Sequence, residues 1–156
     1  MPGPRVMIVD DEEDFRETLV SRLRKREVDT TAAESGEKAL ELVGKYLFDV
    51  IVLDIRMPGM DGITALREIK KIKPLVEVIL LTGHATVESG IEGMRLGAFD
   101  YIIKPASFDA LLEKINQAFA RKAAHDEKIQ QAIVRDLTAH PARIFEQIKK
   151  EEKKKP

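Results

Sequence analysis

Five short segments, most of them apolar and rich in β-branched residues, alternate with longer segments that carry apolar residues at helical spacing. The short segments cover residues 5–9, 28–33, 49–54, 76–81 and 101–103. Bounded runs of this kind are typical of strands buried on both faces of a sheet. Because parallel strands need helical crossovers, the alternation predicts an α/β fold with an open, doubly wound, five-stranded parallel sheet flanked by five helices. A closed eight-stranded barrel needs about 250 residues, more than the 156 available.

Capping residues mark the helix starts. Ser35, Asp61 and Ser107 each precede apolar residues at helical spacing, and such side chains accept hydrogen bonds from the first backbone N–H groups of a helix. A fourth helix is predicted from about Thr86 to residue 96. The last helix has no stop signal before Pro141, and a further short helix is predicted over residues 142–150.

Charge is distributed unevenly, although the net charge is only -1. Residues 121–156 carry ten basic and six acidic side chains, whereas the rest of the chain has an acidic excess. The near-zero total argues against nucleic acid as a partner of the whole chain. An acidic body and a basic tail indicate two unlike parts.

The chain contains no cysteine, which excludes disulfides, thiolate zinc sites, iron–sulfur clusters and cysteine nucleophiles. No segment approaches the roughly 18 apolar residues that span a bilayer. No apolar stretch of signal-peptide length precedes Asp10. These features predict a cytoplasmic protein without a membrane partner.

Polar side chains follow four of the five predicted strands. Asp10 and Asp11 follow the first strand, Asp54 ends the third, Thr82 follows the fourth and Lys104 follows the fifth. In open α/β sheets the ligand site lies at the carboxyl ends of the strands. We therefore expect these side chains to converge on one edge.

Three clustered carboxylates are unfavourable unless a cation neutralises them. Mg²⁺ prefers oxygen ligands, and a lysine and a threonine beside it could contact a bound oxyanion. Such a set of groups is suited to stabilising a phosphoryl group in transfer. The central carboxylate, Asp54, would then be the nucleophile that forms an acyl phosphate.

The motifs together resemble the receiver domain of two-component response regulators. They are Asp10-Asp11, Asp54 to Gly62 (DIRMPGMDG), Thr82-Gly83 and Lys104-Pro105. The segment from Thr82 to Tyr101 looks most like receivers of nitrogen-regulation-type activators. The resemblance implies a flavodoxin-like fold of strand order 2-1-3-4-5, with a receiver over residues 4–121 and a helical, basic C-terminal extension over residues 122–156.

The resemblance also implies roles for individual residues. Asp54 would accept the phosphoryl group from a histidine kinase or a histidine phosphotransfer protein, and Lys104 would contact its oxygens. Thr82 would move toward the phosphoryl group, and Tyr101 would swing inward in response. Mg²⁺ would be held by Asp10, Asp11, Asp54 and the backbone carbonyl of Arg56.

Output in this family runs through the fourth helix, fifth strand and fifth helix, which would bind a downstream protein or a second copy. The chain would thus be a signalling switch rather than an enzyme, its catalysis limited to gain and loss of its own phosphoryl group. Arg56 and His84 occupy positions that tune self-dephosphorylation, and we expect their side chains to restrict or steer the attacking water.

Three alternatives remain beside this interpretation. The sequence could be the receiver piece of a longer DNA-binding activator, although it contains no ATPase phosphate loop. A haloacid-dehalogenase-type phosphatase needs a second aspartate two residues after the nucleophile, where Arg56 stands. A nucleotide-binding module would need a glycine-rich loop, which the chain lacks.

The extension over residues 122–156 could be a dimerising helix or could pack on its own domain.

Overall fold

The computed structural model describes residues 3–84, 86–142, 146 and 148–150. Within them, five parallel strands form one sheet in the order β2-β1-β3-β4-β5. This confirms the predicted fold class and strand order. The fourth strand starts and ends one residue later than predicted, so that Thr82 is its last residue. The strands are β1 (Arg5–Val9), β2 (Asp29–Ala33), β3 (Val50–Leu53), β4 (Glu77–Thr82) and β5 (Asp100–Ile103).

Five helices lie between and after the strands in the described part of the chain, and side-chain caps begin several of them. The Ser35 hydroxyl accepts a hydrogen bond from the Lys38 N–H, and the Asp61 carboxylate accepts one from the Thr64 N–H. Both caps are those that the sequence predicts. The helices are α1 (Glu13–Lys25), α2 (Gly36–Lys45), α3 (Gly62–Ile72), α4 (Val87–Arg95) and α5 (Phe108–Ala139).

The sheet is buried on both faces because its strands alternate their side chains between two apolar clusters. In β1, Val6 and Ile8 belong to the cluster under α1 and α5, whereas Met7 and Val9 belong to the cluster under α2 and α3. This two-residue period with no polar face is characteristic of parallel strands covered by helices on both sides. Because both faces are covered, polar groups are left to the ends of the strands.

A buried carboxylate lies at the amino end of β4. Glu77 is only 3% exposed, and it forms ion pairs with Lys70 from α3 and with Arg121 from α5. The Arg121 guanidinium also lies over the Phe99 ring, 4.6 Å from its centroid. A buried charge is tolerated when it is paired in this way, so Glu77 ties two helices to the sheet edge opposite the predicted site.

The chain divides into a compact unit over Met1–Lys122 and a second over Ala123–Pro156. In the second unit, the helical side chains of Ile129, Ile133 and Val134 are about half exposed. The predicted short helix over 142–150 includes residues 143–145 and 147, which lie outside the described residues. Among those described, no helix is long and apolar enough to cross a membrane.

Gly62 allows α3 to start against the strand that carries Asp54. Its N–H donates to the Ile55 carbonyl at 2.7 Å, and a Cβ at this position would lie 2.0 Å from the Asp54 carbonyl oxygen. No side chain fits at that distance without moving backbone. Glycine is therefore required here for close approach.

We expect Gly62→Ala to lower the free energy of unfolding by about 2 kcal/mol or more, because the start of α3 must retreat from β3. The matched control is Gly44→Ala in α2, where no described atom lies within 4 Å of the added methyl group. That change should raise stability by roughly 0.5–1 kcal/mol. Urea denaturation of both variants measures the difference, and a neutral Gly62→Ala would contradict the close-approach explanation.

Candidate functional site

Three carboxylates meet at the carboxyl edge of the sheet, as the sequence predicts. Asp10 and Asp11 follow β1, and Asp54 follows β3, the neighbouring strand. One oxygen from each of the three lies within 4.8 Å of the others. Asp10 and Asp54 are buried, whereas Asp11 is exposed. The cluster is therefore shielded from solvent at Asp10 and Asp54 and accessible to solvent at Asp11.

Asp10 is fully engaged by neighbouring donors. Its Oδ2 accepts a hydrogen bond from the Lys104 ammonium at 2.8 Å, and its Oδ1 accepts one from the Glu12 N–H at 2.9 Å. The Lys104 side chain is 16% exposed, so the pair is largely shielded from water. A shielded, charge-assisted contact of this kind holds both groups in place.

Asp54 differs from Asp10 in having an unengaged oxygen. Its side chain is 4% exposed, and Oδ1 has no hydrogen-bond partner among the residues that the structure describes. Burial raises the pKa of Asp54 above its ordinary value and the Asp10 charge adds to the rise, while the Thr82 hydroxyl and the Lys104 ammonium oppose it. A buried polar atom left without a partner is uncommon and points to a group that binds there.

The ends of β3 and β4 bring Thr82, His84 and Arg56 to the same edge. Thr82 is fully buried, and its hydroxyl oxygen accepts a hydrogen bond from the His84 N–H at 3.1 Å. The exposed Arg56 guanidinium lies 3.4 Å from His84 Nδ1 and donates to it. The two side chains proposed to modulate dephosphorylation therefore contact each other.

The side chain of Tyr101, a residue of β5, contacts the start of α4. Its hydroxyl is 2.9 Å from Ser89 Oγ and donates to the Thr86 carbonyl at 3.3 Å. Thr86 and Ser89 form the capping box that begins α4. The aromatic ring is thus bonded to the same helix start that follows Thr82 along the chain.

Sequence reasoning missed Glu37, which holds the loop between β3 and α3. Its Oε1 accepts a hydrogen bond from the Met60 N–H at 2.8 Å, and backbone hydrogen bonds from its own N–H and from Met60 lower the pKa of this carboxyl. Gly59, at φ 76°, makes the turn beside it. Because the residues are 23 positions apart, no local pattern could indicate the contact.

Phe15 was also missed as part of the site. The sequence places it on the apolar stripe of α1, yet its ring lies under the Lys104 ammonium, 3.9 Å from nitrogen to centroid. Its position just after the acidic cluster was the available signal. The residues that the sequence predicts for the site come from the ends of four different strands. All of them lie at one edge of the sheet.

This edge combines the buried Asp54 carboxylate, two further carboxylates, a lysine and a hydroxyl. The carboxylate oxygens suit a hard divalent cation, and Lys104 and Thr82 suit the oxygens of a tetrahedral oxyanion. No cysteine or histidine lies within the carboxylate cluster. The group of residues can therefore carry phosphoryl chemistry on Asp54.

Comparison with known families gives one consistent result. Residues 6–116 match the family model described as "Response regulator receiver domain". The chain is 37% identical over 121 residues to the transcriptional regulatory protein ZraR of Escherichia coli K12, a match that covers 78% of this chain and 27% of ZraR. It is 44% identical over 107 residues to the regulatory protein AtoC of the same organism, covering 69% and 23%.

Solved structures agree with the sequence matches. The CheY-like receiver domain protein of Methanospirillum hungatei JF-1 superposes with a TM-score of 0.77 at 27% identity, covering 79% of this chain and 98% of that one. The chain thus corresponds to almost the whole of a solved receiver domain. It spans about a quarter of the length of the curated relatives that it matches.

We expect Asp54→Asn to stabilise the metal-free protein at neutral pH. Because the folded-state pKa of Asp54 is raised, the unfolded chain ionises first as the pH increases, and the free energy of unfolding falls through that window. Below the ordinary aspartate pKa both states are protonated and the penalty is absent. Urea denaturation in a chelator should show a gain for the Asp54→Asn variant at neutral pH that shrinks on acidification.

Asp29→Asn is the matched control, since this exposed carboxylate lies at the amino end of β2 beside Arg5. It should change stability little at either pH. An Asp54→Asn variant that is less stable than wild type at neutral pH would contradict the expected penalty for ionising Asp54.

Proposed function

The chain belongs to the response regulator receiver family, and on that basis we propose that Asp54 accepts a phosphoryl group from a histidine kinase or a histidine phosphotransfer protein. The observation that carries this proposal is the buried Asp54 Oδ1, which has no partner among the described residues and belongs to a carboxyl group clustered with those of Asp10 and Asp11. Receivers of this family are signalling switches between histidine kinases and downstream effectors.

The proposed transfer is a single displacement at phosphorus. An oxygen of the Asp54 carboxylate forms the new P–O bond while the P–N bond to the donor imidazole breaks, and the electron pair of that bond returns to the nitrogen, which then takes a proton. Lys104 leaves Asp10 and contacts the phosphoryl oxygens. The Thr82 hydroxyl donates to the same group, so that protein donors receive the added negative charge.

The residues fit a resident Mg²⁺ ion, as is typical of this family. We propose that Asp10, Asp11, Asp54 and the Arg56 backbone carbonyl hold it, since their oxygens are the hard ligands that this cation takes. The ion, when bound, supplies positive charge that neutralises the carboxylates and the incoming phosphoryl group. Glu37 supports the same site by fixing the loop that carries the Arg56 carbonyl.

We propose that the output face is formed by α4, β5 and α5 and that Thr82 and Tyr101 switch it. In support, Val87, Ile91, Met94 and Ile103 expose between about half and three quarters of their surface on α4 and β5. The Tyr101 hydroxyl is bonded to the start of α4. In this proposal, a movement of Thr82 toward a phosphoryl group changes the contacts of Tyr101 with the start of α4 and so the exposed apolar side chains.

This face would bind a downstream protein or a second copy of the chain, without direct contact to nucleic acid or membrane. In this proposal the chain is a cytoplasmic switch and not an enzyme with a diffusible product. A second possible output follows from the relatives, two of which are named as regulatory proteins about four times as long as the match. In that case this sequence would be one piece of a DNA-binding activator, and the receiver would control that activator.

We further propose that the receiver occupies residues 4–121 and that residues 122–156 form a separate, basic extension. The compact first unit runs to Lys122, and the family match ends at residue 116. The excess of basic over acidic residues is found over residues 121–156, which begin next to Lys122.

Incubation with acetyl phosphate and Mg²⁺ tests the phosphoacceptor. We expect intact-mass measurement to show one added phosphoryl group on wild type, none on Asp54→Asn, and little labelling when a chelator removes Mg²⁺. Asp61→Asn is the matched control, because this exposed residue caps α3 and asparagine caps equally well. Labelling of Asp54→Asn, or no labelling of wild type, would refute the proposal.

Arg56 and His84 should slow the loss of the phosphoryl group because their side chains, which contact each other, would restrict or steer the attacking water. We expect Arg56→Ala and His84→Ala each to dephosphorylate several-fold faster than wild type, as measured by the decay of the phosphorylated mass after removal of the donor. The control is Arg67→Ala, an exposed arginine paired with Glu92 on α4. Unchanged decay in both variants would contradict the proposed role.

A further inference from the structure

The Lys104 ammonium contacts both a carboxylate and an aromatic ring. It donates to Asp10 Oδ2 at 2.8 Å. It also lies over the face of the Phe15 ring, 3.9 Å from the centroid. With 16% of its side chain exposed, Lys104 has lost most of its hydration, and a cation–π contact is stronger in such surroundings.

The metal can compete with Lys104 for one of these two contacts but not for the other. Asp10 is a proposed Mg²⁺ ligand, so the metal and Lys104 compete for the same carboxylate. The Phe15 ring competes with neither the metal nor the phosphoryl group. It is therefore the contact that can persist when the ammonium leaves Asp10.

The lysine side chain has a flexible four-carbon stem with a strongly hydrated charge, and it needs a packing surface to keep one conformation. The Phe15 ring provides that surface beside an apolar cavity of about 100 Å³ between α1 and α5. Its lining includes the apolar side chains of Phe15, Leu19 and Leu111 and the charged side chains of Arg22 and Lys104. Without the ring, the lysine stem has space to turn away from the sheet edge.

We propose that Phe15 is a positioning residue for phosphoryl transfer. Its ring face holds the Lys104 ammonium at the carboxyl edge of the sheet, where the lysine can pass from Asp10 to the phosphoryl oxygens. This inference rests on the proposed function of Asp54 and adds a residue to it. The ring itself touches neither phosphoryl group nor metal.

A second aromatic ring in the same cavity offers a matched comparison. Phe108 is buried and lines the cavity with Phe15, but its ring faces Arg22 at 4.4 Å and Arg26 at 5.8 Å. Replacing either phenylalanine by leucine removes a ring from the same apolar space. Only the change at position 15 removes the ring that faces Lys104.

The experiment measures the rate of phosphorylation by acetyl phosphate with Mg²⁺ in Phe15→Leu, Phe15→Tyr and Phe108→Leu. We expect Phe15→Leu to slow labelling about fivefold, and Phe15→Tyr, which keeps a ring face, to stay within about twofold of wild type. Phe108→Leu should also stay near wild type. In a Lys104→Ala background, Phe15→Leu should cause no further loss, because the two residues act as one unit.

Nuclear magnetic resonance supplies a readout that does not depend on activity. The Lys104 ε-methylene protons should show an upfield ring-current shift in wild type and in Phe15→Tyr. The shift should disappear in Phe15→Leu and persist in Phe108→Leu. Circular dichroism checks folding, and Phe15→Met replaces the leucine variant if that variant does not fold, with the same expected losses.

Two results would overturn the inference and leave Phe15 with a packing role only. One is that Phe15→Leu and Phe108→Leu slow phosphorylation equally, and the other is that Phe15→Leu slows it equally in the wild-type and Lys104→Ala backgrounds. Absence of the ring-current shift in wild type would overturn it as well. If wild type is labelled at Asp54 while Phe15→Leu is unimpaired, this inference alone fails. If wild type is not labelled at all, the proposed function itself fails.

Discussion

Electrostatic repulsion among Asp10, Asp11 and Asp54 is the constraint on which the rest of this structure depends. Two of these carboxylates are buried at the ends of adjacent strands, where charge is poorly solvated. The protein compensates one of them with Lys104 and leaves an oxygen of the other unengaged. An acidic cluster that is only partly compensated will respond to any cation or phosphoryl group that enters it, which is the property that a switch requires.

The sequence predicted the fold and most of the site because both follow from local patterns. Four of the five strands are bounded apolar runs followed or ended by a polar residue of the site, and each predicted cap at Ser35 or Asp61 acts within three residues. Parallel topology then brings the strand ends together without further information. The fold was confirmed for this reason, while the roles assigned to site residues stay predictions.

What the sequence did not reveal are contacts between distant segments that resemble ordinary surface or core positions. Glu37 looks like a solvated helix residue until the loop after β3 is placed beside it. Phe15 looks like one member of an apolar stripe until β5 delivers Lys104 to its ring. The contact of Arg56 with His84 likewise depends on the spacing of two loops, which no periodicity encodes.

The ion pair between Glu77 and Arg121 bears on where the smallest independently folding piece of this chain ends. The match to the family model ends at residue 116, five positions before the arginine that meets the buried carboxylate. A fragment cut at residue 116 would leave Lys70 as the ion-pair partner of Glu77 among the described residues, and the Phe99 ring would lose the Arg121 guanidinium. The border that the family model marks and the border that this ion pair indicates are therefore two different places on α5.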